Sequence, residues 1–270
     1  MDGTTTFPRS LQRAHGTTLT TFRNGALDRL FHSGSAKTLL PRSHGAAAEV
    51  VLVNTAGGIT GGDVFRHEYN ADASEIVVTT QAAERAYRST GDEPARLDVH
   101  LTARNGARLH WLPQETILFD RSRLARRIDV DLDPSSECLV LESVVFGRHA
   151  MGETLTHCQF TDRWRIRRDD RLVHAEAMRL DSHIERCLTA NAGADGAQMT
   201  AVIVYVGPRA DRIHADMNSA LETVASRAAV SCWNGKVVLR VLARDAMTGK
   251  KDLTDILTSL GGLQQPRVWQ

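Results

Sequence analysis

A chain of 270 residues with 42% hydrophobic and 24% charged side chains can bury a full core and is too apolar to be disordered. Its 33 Lys and Arg against 32 Asp and Glu leave a formal net charge of +1, without the basic excess of a nucleic-acid binder. No apolar run approaches the ~20 residues that cross a bilayer as a helix, so neither nucleic acid nor a membrane is an expected partner.

From about residue 45 to about 180 the pattern is strand after strand. Ala48–Thr55 is a continuous apolar run and Ile76–Thr80 a second, the look of buried strands. Leu97, Val99, Leu101 and Ala103 alternate with polar residues. Asn105-Gly106 follows and Leu109 and Trp111 resume the alternation, which predicts a β-hairpin. Ile128–Leu132, Leu139–Phe146, Leu155–Phe160, Trp164–Ile166 and Leu172–Met178 continue the series. Gln81–Arg88 contains good helix formers but is short for a helix. Leu188–Thr200 reads as a surface loop and Ala201–Val206 as a strand stopped by Gly207-Pro208. Apolar residues from Ile213 to Ala228 predict an amphipathic helix over Asp211–Ala229. Asn234-Gly235 turns into a strand at Val237–Leu242, and Asp252 is a candidate cap for a last helix that ends at Gly261. The expected fold is mainly β, with stacked sheets, a barrel or a β-solenoid as its forms and two α-helices in the C-terminal third.

Cys138, Cys158, Cys187 and Cys232 lie far apart, without a C-x-x-C pair, and read as reduced core thiols of a cytoplasmic protein. Met1–Thr6 lacks the features of a secretory signal. Two basic groups, Arg121, Arg123, Arg126 and Arg127, then Arg163, Arg165, Arg167 and Arg168, read as solvated strand faces.

The most unusual stretch is Asn54-Thr55-Ala56-Gly57-Gly58-Ile59-Thr60-Gly61-Gly62-Asp63, directly after a buried strand. Four glycines permit positive φ and close backbone approach. A phosphate loop fails, since no Lys-Ser/Thr follows the last glycine and the spacing is not G-x-G-x-x-G. A tight turn with Asp63 accepting from backbone amides is the plain alternative.

That segment resembles the signature of the urease accessory protein D family (UreD, called UreH in some lineages). Thr79–Arg88, Trp111–Asp120, and Glu142–Arg148 with Met151–Glu153 resemble three further blocks of the family, and Pro266–Trp269 its terminus. The resemblance implies a single domain over 1–270, strand-rich at 45–180 and helix-containing at 200–270, of solenoid-like mainly β fold. It also implies a non-enzymatic scaffold that binds apo-urease with accessory proteins F and G, the latter a GTPase. Nickel would then pass transiently through an internal passage, with no tightly bound cofactor.

Nickel takes imidazole, thiolate and carboxylate ligands, and a transfer route needs exchangeable ones. The acidic candidates are Asp63, Glu84, Glu115, Glu142 and Glu176, with Asp63 first because its motif is the most specific; Asn54, Gly57, Gly58, Gly61 and Gly62 are the structural part of that motif. His183 and Cys187 would share one face only if their segment is helical. His157 and Cys158, adjacent on a strand, would point to opposite faces. A different class, a small-molecule hydrolase pairing Asp63 with another carboxylate, is the alternative reading.

Overall fold

The computed structural model describes residues 12–42, 45 and 47–269. Met1–Thr6, read above for a secretory signal, lies outside the described residues. The chain forms β1 (His15–Arg23), β2 (Ala26–Gly34), β3 (Ala36–Leu39), β4 (Ala48–Asn54), β5 (Val64–Asp72), β6 (Glu75–Thr80), β7 (Glu84–Ala86), β8 (Ala95–Arg104), β9 (Arg108–Trp111) and β10 (Thr116–Leu118). It continues through β11 (Ser122–Leu132), β12 (Glu137–Phe146), β13 (Cys158–Arg168), β14 (Arg171–Leu180), α1 (Ile184–Thr189), β15 (Met199–Val206), α2 (Ala210–Ala220), β16 (Arg227–Trp233), β17 (Lys236–Ala243) and α3 (Ala246–Ser259).

Two sheets stack face to face. One has seven strands in the order β14-β13-β11-β8-β5-β1-β2; the other runs β16-β17-β15-β12-β9-β6-β4-β3, with β10 bonded to β12 and β7. From β4 to β13 the chain alternates between them, so β5, β8, β11 and β13 lie parallel in one sheet and β4, β6, β9 and β12 parallel in the other. Each pair of strands is one coil of a solenoid, and the mainly β, solenoid-like fold expected from the sequence is present. Phe65, Tyr69, Leu101, Ile128, Val130, Val140 and Phe160 pack between the sheets.

The second sheet is covered on its other face by α2 and α3, through Ile213, Met217, Leu253, Ile256, Leu257 and Leu260 against Leu139, Leu141, Ile203 and Leu239. Strand β12 is buried along its whole length because both of its faces are covered.

Several sequence expectations change. Asn105 and Gly106 have φ of 58° and 73°, as a primed turn requires, yet β8 and β9 belong to different sheets. The pair is an arch, not a hairpin, because both edges of β8 are already bonded to β5 and β11. Gln81–Arg88 is no helix; it carries the short strand β7. Three strands between residues 15 and 39 precede the region read as strand-rich, and α1 makes a third helix. Leu155 is not in a strand, and Cys158–Arg168 runs as one element.

The helix expected to Ala229 stops at Ala220, and Arg227–Trp233 is a strand with alternating burial. Its β-branched and small residues satisfy period two as an edge against β17. The last helix is capped by Asp245, whose side chain accepts from Thr248 N, while Asp252 lies buried inside the helix and accepts from Ala225 N and Ser226 N. Cys138 and Cys158 are core thiols as expected, but Cys187 is exposed and Cys232 half-buried.

Candidate functional site: a polar cavity between the sheets

The four sequence blocks that stand out are far apart in the chain, but each forms a corner at the same end of the solenoid. Asn54–Asp63 joins β4 to β5, and Thr79–Arg88 follows β6. Trp111–Asp120 follows β9, and the block from Glu142 follows the middle of β12. The corners bond to one another like rungs. Ile59 N donates to Arg85 O (2.8 Å), Tyr87 N to Ile59 O (2.8 Å), Glu84 N to Glu115 O (2.9 Å), Phe119 N to Ala86 O (3.0 Å) and Gly147 N to Leu118 O (2.9 Å).

The glycine motif is what lets the first rung approach. A Cβ on Gly58, where φ is 154°, would lie 2.2 Å from the Tyr87 ring and 2.8 Å from Arg85 O. Gly61 does not have positive φ; a Cβ there would meet Ser89 Oγ at 2.1 Å and Glu93 O at 2.5 Å. Gly57 and Gly62 turn the chain at φ of 78° and 87°. Asp63 is buried, its Oδ1 accepting from Ala14 N and its Oδ2 from Thr60 N, each at 2.8 Å. Both oxygens thus brace the corner.

Behind these corners, between the sheets, is a cavity of about 140 Å³. Asn54, Gly58 and Glu84 line its outer part, and Trp111, Arg126 and Glu142 its inner part. Glu142 sits on the same parity of β12 as Val140 and Val144, which pack between the sheets, so strand alternation aims it inward. Its Oε1 accepts from Trp111 Nε1 at 2.8 Å and its Oε2 from Arg126.

Arg126 is buried on β11, on the parity of Leu124, Ile128 and Val130. Its Nε and second terminal nitrogen bind Asp162 of β13 at 3.0 and 2.6 Å, and its other nitrogen binds Thr116 Oγ1 at 3.0 Å. Trp164 Nε1 donates to the same Asp162 at 2.9 Å. One guanidinium therefore bridges two buried carboxylates.

Burial opposes the charge on Arg126, but Asp162 and then Glu142 outweigh it and hold its pKa above the ordinary value. Glu142 is shifted the other way, upward, by burial; the Arg126 charge and the Trp111 hydrogen bond do not cancel it. At the outer end Glu84 is half-buried, and Asn54 Nδ2 donates to both its oxygens at 3.2 Å. Burial raises its pKa to about 7 despite that amide. Two carboxylates of one cavity thus change protonation more readily than exposed ones near neutral pH.

The structure brings Glu84 and Glu142 to one cavity and places the other candidates elsewhere. Glu115 lies 3.5 Å from Lys250, and Glu176 is held by Arg240 of the other sheet and by His174 at 3.7 Å. His183 is the residue before α1, and Cys187 Sγ faces Ser182 O at 3.8 Å. Among the described residues no three His, Cys, Asp or Glu side chains converge to hold a metal.

Arg126, Asp162, Thr116 and Trp111 were not singled out from the sequence. Arg126 departs from the solvated basic face expected of its group, which Arg127, Arg163 and Arg165 do occupy. The missed signal was parity: Arg126 falls in step with Ile128, Val130 and Leu132, and Asp162 with Trp164 and Ile166.

The family model described as UreD urease accessory protein matches residues 16–270. The chain is 42% identical over 245 residues to the urease accessory protein UreD of Agrobacterium fabrum, covering 90% of this chain and 85% of that one. It is 44% identical over 271 residues to the urease accessory protein UreD of a Chelativorans strain, covering 97% and 96%. It is 40% identical over 270 residues to urease accessory protein UreD 1 of Brucella melitensis, covering 96% and 95%.

Proposed function

Because the chain belongs to the UreD family of urease accessory proteins, we propose that it acts in urease maturation as a chaperone and scaffold for nickel insertion. In this reading it binds apo-urease together with accessory proteins F and G and assists GTP-dependent loading of the metal. Nickel is cargo, travelling transiently through the space between the sheets.

The observation that carries the reading is a carboxylate-bearing cavity between the sheets, behind the stacked corners. A polar interior is costly unless it serves a polar traveller, since buried charge must be paired and hydrogen-bonded to persist. Carboxylate oxygen is a labile nickel ligand, and metal binding displaces protons from its ligands. Glu84, with its pKa near 7, can trade a proton for a cation at the outer end. Glu142 can do the same deeper in, where Arg126 already supplies an exchangeable cationic partner. Asp63, Glu115 and Glu176 contribute through the walls and corners in this reading.

The test co-expresses variants with urease and the accessory proteins and measures the nickel content of urease beside pull-down of the complex. Glu142→Gln and Glu84→Gln are expected to lower nickel content with the complex intact. Asp63→Ala is expected to lower melting temperature and assembly along with activity, because two amides lose their acceptor. Normal nickel loading by the doubly substituted Glu84→Gln, Glu142→Gln chain would sink the passage role.

A further inference from the structure

The block Pro266–Trp269 stands out in the sequence, yet it lies neither in the stacked corners nor on the cavity wall. Its residues Arg267–Trp269 form a single 3-10 turn against the helix-covered face of the second sheet. Trp269 is buried there, and its Nε1 donates at 2.9 Å to the carbonyl of Leu112, 157 positions earlier. The same carbonyl accepts from Thr79 Oγ1 at 2.6 Å. The two residues before Trp269 are tied as well. Val268 O accepts from Gln114 Nε2 at 3.4 Å, and Arg267 N donates to Glu49 Oε1 at 3.3 Å. Helix α3 adds a further tether, from Lys250 Nζ to Gln114 Oε1 at 2.6 Å.

The segment held in this way is a wall of the cavity, which Trp111, Pro113 and Gln114 line. Strand alternation divides it between two faces: Trp111 packs between the sheets, and Leu112 packs under the helices with Trp269. The residue whose carbonyl the tail holds is thus the chain neighbour of the indole that donates to Glu142 at 2.8 Å.

We propose that Trp269 is a positioning residue for the cavity: the tail turn fixes Trp111–Gln114 and thereby keeps the Trp111 indole on Glu142. The consequence for nickel rests on the cargo reading of the cavity; the geometry does not. A carboxylate that takes up and releases a cation needs its neighbours fixed, because supporting hydrogen bonds orient metal-binding side chains and tune their basicity. Filling the space under the helices takes only a large ring, whereas holding the Leu112 carbonyl takes the indole N–H.

The test is Trp269→Phe, which keeps a ring in place and removes the donor. Hydrogen exchange of the full chain is read by mass spectrometry, beside pull-down of the complex and the nickel content of co-expressed urease. The Leu112 and Gln114 amides donate to Val78 O at 2.8 Å and Thr80 Oγ1 at 2.9 Å. They are expected to exchange roughly three- to tenfold faster in the variant, the equivalent of one lost hydrogen bond. Protection of β15 and β17 is expected to stay native, and nickel content to fall with the complex intact. Lys250→Met removes the α3 tether and is expected to loosen Gln114 in the same way; Trp233→Phe, the same change on β16, is expected to do neither. Native exchange at Leu112 and Gln114 in Trp269→Phe overturns the proposal. Loss of protection that spreads to β15 and β17 also overturns it, by assigning Trp269 to packing alone. So does faster local exchange with undiminished nickel content where Glu142→Gln lowers it. Normal loading by the Glu84→Gln, Glu142→Gln chain is a separate outcome: it removes the passage reading, and with it the consequence for nickel, while the exchange data still judge the hold of Trp269 on Leu112.

Discussion

Arg126 is the residue on which the interior depends most, since among the described residues it alone forms ion pairs with Glu142 and Asp162. Arg126→Met keeps the volume and removes the cation, leaving two buried carboxylates without their counter-charge. Removing one partner of a buried ion pair costs roughly 3–5 kcal/mol. The expected outcome is a large fall in melting temperature at neutral pH, partly recovered on mild acidification as Glu142, whose pKa burial already raises, takes up a proton. An unchanged melting curve would mean that the guanidinium is not the counter-charge. The buried histidines give a second expectation. Burial lowers the pKa of His110 to about 4 and that of His67 to about 3, from 6.5. Neither ring nitrogen of His110 has a hydrogen-bond partner among the described residues, whereas His67 Nδ1 pairs with Thr18 Oγ1 at 2.9 Å. A depressed folded pKa means that the unfolded chain binds protons first, so these groups remove stability as pH falls from about 6.5 towards 4. Glu84, raised to about 7, acts in the opposite sense: its contribution is present below 4.5 and fades as pH rises through 7. His110→Leu is expected to flatten the acid limb of a plot of melting temperature against pH. A limb as steep as that of the native chain would discount this histidine.

At the scale of elements, the corner Asn54–Asp63 is tight because the next corner presses on it. Gly58→Val drives a β-branched side chain into the Tyr87 ring, and Gly61→Val drives one into Ser89 and the Glu93 carbonyl. Both are expected to fail in urease activation with reduced soluble yield. The cause differs: Gly58 combines positive φ with crowding, whereas Gly61 has crowding alone. Gly61→Ala paired with Ser89→Gly is therefore expected to recover more activity than Gly61→Ala by itself. Equal activity of the two would remove Ser89 from the explanation. Helix α3 makes the converse point. Its apolar face, Leu253, Ile256, Leu257 and Leu260, was legible from spacing, but its start was not. Asp252 looks like a cap in sequence, yet it serves the loop at Ala225–Ser226 from inside the helix.

On the scale of the whole molecule, net charge decides how the chain behaves alone. With a formal net charge of +1 it has little electrostatic self-repulsion, and Leu27, Leu30 and Phe31 of β2 are exposed. The isolated chain is expected to be poorly soluble and to become well behaved when co-expressed with accessory protein F. Light scattering of the two preparations checks this; monodisperse, monomeric protein at high concentration without any partner would contradict it.

Alternation and turn chemistry in the sequence were enough for the β-rich class, most of the strands from Ala48 to Leu180 and the buried face of α3. They work because burial on one side of a strand or helix leaves a periodic trace. The four motif blocks were visible too, and so were Glu84 and Glu142 among the acidic candidates. What the chain alone could not express is which corner stacks on which, because that depends on strands paired across the coils. Asn105-Gly106 has the same backbone in a hairpin as in an arch, and only the bonding of β8 to both neighbours decides between them. Arg126 looks like a surface arginine until β11 is placed between β8 and β13 with Asp162 beside it and Glu142 across the gap. A charge becomes interior through the company of residues distant in sequence, and that company exists only once the sheets have closed.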